Sequence, residues 1–211
     1  MTDRQPDVSD TSPEALDAAP KRTREDEIRA YTIGEIQPLN GPIELAEADP
    51  SWPVLYAREE ARIRAVLGGR VVRIEHTGST SVPGLAAKPI IDIAMSVADV
   101  NDEAAWIPDL EAAGYVLRIR EGEPEWWDHR VLKGPDTNVN LHVFSDGCVE
   151  WDRMVGFRDW IRTHDDDRQL YEQAKRDLVK RDWSYVQHYA DAKTGVVEEI
   201  MARAGLPPRR D

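Results

Sequence analysis

A Gly-Ser turn between two apolar strands, the second carrying a lone carboxylate, constrains this chain more than any other feature. Val71-Val72-Arg73-Ile74 reads as a strand and runs into the turn chemistry of Glu75-His76-Thr77-Gly78-Ser79-Thr80-Ser81. Pro89-Ile90-Ile91-Asp92-Ile93-Ala94-Met95-Ser96-Val97 reads as a second strand, rich in β-branched residues. Side chains alternate along a strand, so Ile91 and Ile93 share one face, and Ile90, Asp92 and Ala94 the other. A carboxylate in that company is costly unless paired, hydrogen-bonded or metal-bound. Asp92 therefore either caps nearby backbone or pairs with Lys88, or it serves a site. Gly78 permits close backbone approach to an anion, and Ser79 and Thr80 offer N–H groups and hydroxyls to a phosphate.

The remaining pattern is mixed α/β. Trp52 to Leu67 has helical spacing in Leu55, Glu59, Arg62, Ile63 and Val66, closed by Gly68-Gly69. Asn101 to Ala113 predicts a helix ended by Gly114, and Tyr115–Arg120, Asp128–Leu132 and Val139–Phe144 predict three more strands. From Val149 onward, helices are predicted over 149–164, 166–182 and 191–204. Residues 1–28 are acidic and poor in large apolar side chains, which predicts a disordered tail. Residues 29–50 read as an extended arm, 51–205 as the folded domain, and 206–211 as a frayed end. The tryptophans, including Trp126-Trp127, read mainly as core residues.

Charge and cysteine content narrow the partners. A net charge of -13 repels nucleic-acid backbones and anionic membranes, so neither extended nucleic-acid binding nor membrane attachment is expected. One cysteine, Cys148, forms neither an internal disulfide nor a cysteine-based zinc cluster, which favours a reducing, cytoplasmic setting. No signal-peptide pattern is visible at the start of the chain.

The C-terminal helices add cations. At about 100° per residue, Lys193 falls within the apolar stripe of Val197, Ile200, Met201 and Ala204. Arg158 and Arg162 lie between Met154 and Val155 on their helix. Such cations need anionic partners. Either they pair internally or snorkel, or Arg158, Arg162, Lys193 and Lys175 line a cleft opposite Gly78-Ser79 and bind phosphate together with Lys88.

The run from Ile74 to Ile93, IEHTGSTSVPGLAAKPIIDI, closely resembles the signature of the GrpB family. Asn140-Leu141-His142-Val143, Phe157-Arg158-Asp159-Trp160-Ile161-Arg162, Tyr171 with Lys175, Tyr189 and Ala192-Lys193 extend the resemblance over about Trp52 to Ala204. It implies a nucleotidyltransferase-like α/β fold: a small mixed sheet, flanking helices and a helical C-terminal part. In some bacteria such a domain is fused to dephospho-coenzyme A kinase.

Polymerase-like members of that superfamily place two acids two residues apart on the strand after the Gly-Ser turn, and a third on a later strand, to hold Mg²⁺. Asp92 matches the first acid, Ala94 stands at the second, and the later strand carries Asn140 and His142. A divalent cation (Mg²⁺ or Mn²⁺) is thus expected on Asp92, Glu75 and His142. Asp128 or Asp146 could complete the site instead, the metal could be softer, or two-metal transfer does not occur. His76 and His142 are candidate acid–base groups beside a catalytic Asp92, or plain structural hydrogen-bonders. The expected function is transfer of a nucleotidyl or related phosphoryl group to a small acceptor. The alternative is a non-catalytic nucleotide- or phosphate-binding module that assists a partner enzyme such as a coenzyme A-pathway kinase.

Overall fold

The computed structural model describes residues 23–36, 42–122 and 128–208. A helix opens it, α1 (Arg24–Tyr31), started by a capping box in which Thr23 and Asp26 satisfy each other's backbone N–H. The predicted tail thus yields to structure at its C-terminal end, because Thr23 supplies the cap and Ile28 buries its side chain. The rest of that tail, residues 1–22, lies outside the described residues. The extended arm follows: Ile33 N–H donates to Arg118 O (2.8 Å), and Ala46 exchanges backbone hydrogen bonds with Ala87.

Helix α2 (Trp52–Leu67) has Pro53 in its first turn, where no N–H is needed, and stops at Gly68 with φ 56°. Next come β1 (Arg73–Thr77) and β2 (Ile91–Val97). Strand β1 lies further along the chain than its apolar run predicts. The predicted helix over 101–113 breaks into a 3-10 turn (Glu103–Ala105) and a short α3 (Ile107–Ala112), with Pro108 in its first turn. Three strands follow, β3 (Val116–Glu121), β4 (His129–Lys133) and β5 (Val139–Ser145). Trp126 and Trp127 lie outside the described residues. The chain then forms α4 (Val149–Thr163), α5 (Asp165–Leu178), α6 (Val186–Ala192) and α7 (Thr194–Arg203). The helix predicted over 191–204 is α7 with the last residues of α6 before it; the two meet at Lys193, and most of α6 lies ahead of the predicted start.

The five strands form one sheet in the order β1-β2-β5-β4-β3. The central pair β2–β5 is parallel and the other pairings are antiparallel. This mixed sheet confirms the predicted α/β class. Strand β2 is buried along most of its length, which explains its apolar sequence, whereas β5 alternates apolar residues with Asn140 and His142. One face buries Ile91, Ile93, Met95, Leu141 and Val143 against Ile63 and Leu67 of α2 and Leu110 of α3.

On the other face the register sets Thr77, Asp92, Asn140 and Lys133 in one row across the sheet. Glu75, Ala94, His142 and Val131 form the next row. Helix α4 closes over part of this face, with Trp151 packed on Ala94 and Phe144. A second apolar cluster, Val82, Leu85, Ile161, Tyr171 and Ile200, ties the segment after Gly78 to α4, α5 and α7. Truncating one of these buried aliphatic side chains to alanine costs about 2–5 kcal/mol, so the helical part is firmly seated beside the site.

The end of the chain is also docked rather than frayed through Pro207. Leu206 fills the space beside Gly156, and the buried Arg153 binds Glu150, Glu198 and Pro207 O. Residues 209–211 lie outside the described residues. Among the described residues, no helix is long and apolar enough to cross a membrane.

Candidate functional site

The site forms where β1 ends and β2 begins. Gly78 has φ 65° and ψ -177°, a conformation open essentially to glycine alone. A Cβ there would lie 2.9 Å from the Asp92 Cβ and 3.0 Å from its Cγ. The turn continues as a single 3-10 turn (Ser79–Ser81), closed by Ser81 Oγ donating to Gly78 O at 2.6 Å. Ser79 Oγ faces the Tyr171 hydroxyl at 3.4 Å. Thr80 is buried, donates to Ile90 O (3.0 Å) and meets His76 Nε2 (3.1 Å), so its hydroxyl braces the turn.

Asp92 occupies the open face, its side chain 27% exposed. Asn140 Nδ2 donates to its Oδ1 at 2.7 Å, and His142 Nε2 stands 3.7 Å from the same oxygen. Desolvation pushes the carboxyl's pKa up, but His142, Asn140 and Lys193 together outweigh it and hold the value below the usual range. Asp92 does not form the ion pair with Lys88 that the sequence leaves open; its partners come from β5. Asn140 Oδ1 in turn accepts from Lys133 Nζ at 2.5 Å.

Lys88, Lys133 and Lys193 act electrostatically on this carboxylate, and Lys175 lies beside Lys193. Lys88 and Lys193 both direct their ammonium groups over the Tyr189 ring, 5.3 and 4.9 Å from its centroid. Neither has an ion-pair partner among the described residues. Lys175 is 2% exposed, sits over the Tyr171 ring and donates to Ala86 O. Desolvation and Lys193 lower Lys88 to about 8 and Lys175 to about 7. Desolvation also lowers Lys133, against the pull of Asp92. Cations held near one another with depressed pKa values form a site whose electrostatics call for an anion.

Other predicted site residues have structural employment. Arg158 donates to Glu75 Oε2 and to His76 O, both at 2.8 Å, and so ties α4 to β1. Arg162 clasps Ser81 O through Nε (3.2 Å) and Nη2 (2.7 Å). These two arginines brace the turn through Glu75 and the carbonyls of His76 and Ser81. His76 lies on the opposite face of the sheet, stacked on Tyr56 at 4.8 Å. Desolvation lowers it to about 4, which keeps it neutral. Strand alternation points it away from the face that carries Asp92 and His142, although the Asp92 charge still acts on it.

The expected divalent cation does not find its ligands here. Glu75 is bound by Arg158, Asp128 by Asn101 and Asp146 by Arg73. Among the described residues, no group of three carboxylate, histidine or cysteine side chains is arranged to hold a metal. Asp92 keeps only one imidazole and one amide beside it, a poor set for a hard cation. Ala94 is fully buried under Trp151, so the place of a second acid is filled by packing.

The structure also adds residues that sequence reasoning missed. His129 Nε2 lies 3.1 Å from His142 Nδ1, and His129 Nδ1 lies 2.9 Å from Glu121 Oε2. With Lys133, they reach the site through the pairing of β4 with β5 and β3. The alternation of His129, Val131 and Lys133 on one strand was the available signal.

Comparison with known proteins agrees with this architecture. The family model described as GrpB protein matches residues 42–203. A protein of Halalkalibacterium halodurans, UPF0157 protein BH1888, is 56% identical over 180 residues, which are 85% of this chain and 91% of that one. A dephospho-CoA kinase of Mycolicibacterium paratuberculosis is 28% identical over 199 residues, 83% of this chain but 49% of the kinase chain. The crystal structure of the conserved protein GrpB from Enterococcus faecalis matches with a TM-score of 0.64 at 27% identity, covering 76% of this chain and 98% of that one. With a family match over most of its length and a close relative over nearly all of the folded part, the chain belongs to the GrpB family.

Proposed function

We propose that the chain binds a nucleotide or another phosphorylated small molecule over Asp92 and transfers a nucleotidyl or related phosphoryl group to a small acceptor. The observation that carries this reading is the gathering of Lys88, Lys133 and Lys193 about Asp92, with Lys175 beside Lys193. The lysines take the charge-neutralising part that bound metal ions play in polymerase-like transferases. The glycine at position 78 lets the phosphate approach the backbone. The acceptor oxygen forms a bond to phosphorus while the bond from phosphorus to the leaving phosphate oxygen breaks. The acceptor's proton passes to the Asp92–His142 pair.

Asp92→Asn tests this directly. It removes the carboxylate beside Lys88, Lys133 and Lys193, so nucleotide binding is expected to persist or tighten while turnover is lost. Turnover at the wild-type rate in that variant sinks the catalytic reading.

A second reading is favoured by Ala94 and by the resemblance to a dephospho-CoA kinase about twice as long. Here the domain is a phosphate-binding module that assists a kinase of the coenzyme A pathway. Nucleotide-induced thermal stabilisation without turnover of any nucleotide, alone or with such a kinase's substrates, supports the module.

A further inference from the structure

We infer that Glu121 and His129 are positioning residues for His142, fixing the tautomer in which its Nε2 lone pair faces Asp92 and the open site. Four groups stand in line: Asp92, His142, His129 and Glu121. The successive gaps are 3.7 Å (Asp92 Oδ1 to His142 Nε2), 3.1 Å (His142 Nδ1 to His129 Nε2) and 2.9 Å (His129 Nδ1 to Glu121 Oε2).

On the alkaline side of the histidine range, two imidazoles bring two protons to three gaps, so one gap stays empty. The carboxylates at the two ends compete for the protons. Glu121 is at hydrogen-bond distance from its ring, whereas Asp92 is not, and Oδ1 of Asp92 already accepts from Asn140. The Glu121 end wins. His129 Nδ1–H donates to Glu121, His142 Nδ1–H donates to His129, and the empty gap falls between His142 Nε2 and Asp92.

The rings are held in this alignment. The His129 and His142 rings are parallel within 2°, and His129 stacks on Phe144 with centroids 4.6 Å apart. Desolvation, with His142 and Arg130 adding to it and Glu121 opposing, lowers the His129 pKa and keeps that ring a neutral relay.

The empty gap gives the row a use that rests on the group-transfer reading. An acceptor hydroxyl placed between His142 Nε2 and Asp92 delivers its proton to Nε2 as its oxygen bonds to phosphorus. The resulting imidazolium lies beside the Asp92 carboxylate and is hydrogen-bonded through His129 toward Glu121. A carboxylate that sets a histidine's tautomer from behind is a known catalytic device; here a second histidine is interposed.

The tautomer can be read without any turnover, which separates this inference from the transfer reading. The probe is ¹⁵N NMR of the imidazole nitrogens in the full chain, on the alkaline side of the histidine range, with His142 assigned by loss of its signals in His142→Gln. In the wild type, His142 is expected to carry its proton on Nδ1, with Nε2 bare. Glu121→Ala is expected to move that proton to Nε2, toward Asp92, while Asp92→Asn leaves the wild-type pattern. His129→Phe keeps the stack on Phe144, deletes the relay and serves if Glu121→Ala does not fold; it too must shift the proton to Nε2. A wild-type His142 protonated on Nε2, or a pattern unchanged in both Glu121→Ala and His129→Phe, overturns the inference.

Discussion

Gly78 and Asp92 stand so close that a Cβ at position 78 would overlap the Asp92 carboxylate and lie 2.9 Å from its Cβ. The approach is possible because Gly78 combines φ 65° with an extended ψ and has no side chain. The turn and the carboxylate thus form one unit, and a change in one moves the other.

Gly78→Ala is therefore expected to strain the backbone and displace Asp92 together. The backbone term alone costs about 1–3 kcal/mol. Urea unfolding should show the midpoint falling by that equivalent, and nucleotide affinity should fall with it. A variant with wild-type midpoint and affinity would disprove the coupling.

Ala94 occupies the place of a second acid, and the metal-site interpretation would restore one there. The structure forecasts the opposite outcome for Ala94→Asp, because Trp151 and Phe144 leave no room or solvent for a carboxylate. Overpacking and unpaired burial together cost about 2–4 kcal/mol. Chemical denaturation should register that loss, and calorimetry should find no gained Mg²⁺ binding.

Lys193 and Lys88 lack ion-pair partners among the described residues, so their charges are available to a ligand. Removing either one as Lys193→Met or Lys88→Met should weaken pyrophosphate binding by about 1.5–3 kcal/mol, roughly ten- to a hundredfold. Isothermal titration at two salt concentrations measures this. The fold-loss should be little affected by salt if the contact is desolvated.

Proton uptake is a separate signature. Lys88 and Lys175, at about 8 and 7, are only partly protonated at mildly alkaline pH. A bound anion raises both values, so binding there should take up protons. Titrations in buffers of different ionisation enthalpy read the number directly, and Lys175→Met should reduce it.

Lys175 also sets a slope of stability with pH. Its folded value, about 7, is depressed from the 10.5 of the unfolded chain. Below pH 7 both states hold the proton and the burial penalty opposes folding in full. Between about 7 and 10.5 only the unfolded chain holds it, so stability rises with pH across that window. Thermal melts should show this rise in the wild type and a flatter profile in Lys175→Met.

The turn at Gly78, the strand through Asp92 and the α/β class were legible in the sequence by itself. Glycine freedom, β-branched runs and strand alternation are local properties that act before any long-range contact forms. Even the tension at Ala94 could be seen, once the family resemblance implied two acids two residues apart. Tertiary structure decided which charges serve the site. Arg158 and Arg162 carry the same chemistry as Lys88 and Lys193 in the sequence, yet Glu75 and the Ser81 carbonyl claim them. Position on a helix says which way a cation leans, not which carboxylate or carbonyl another element brings to meet it. The Glu121–His129–His142 row was equally hidden, because it exists only through the pairing of β3, β4 and β5, and register between distant strands is a property of the assembled sheet.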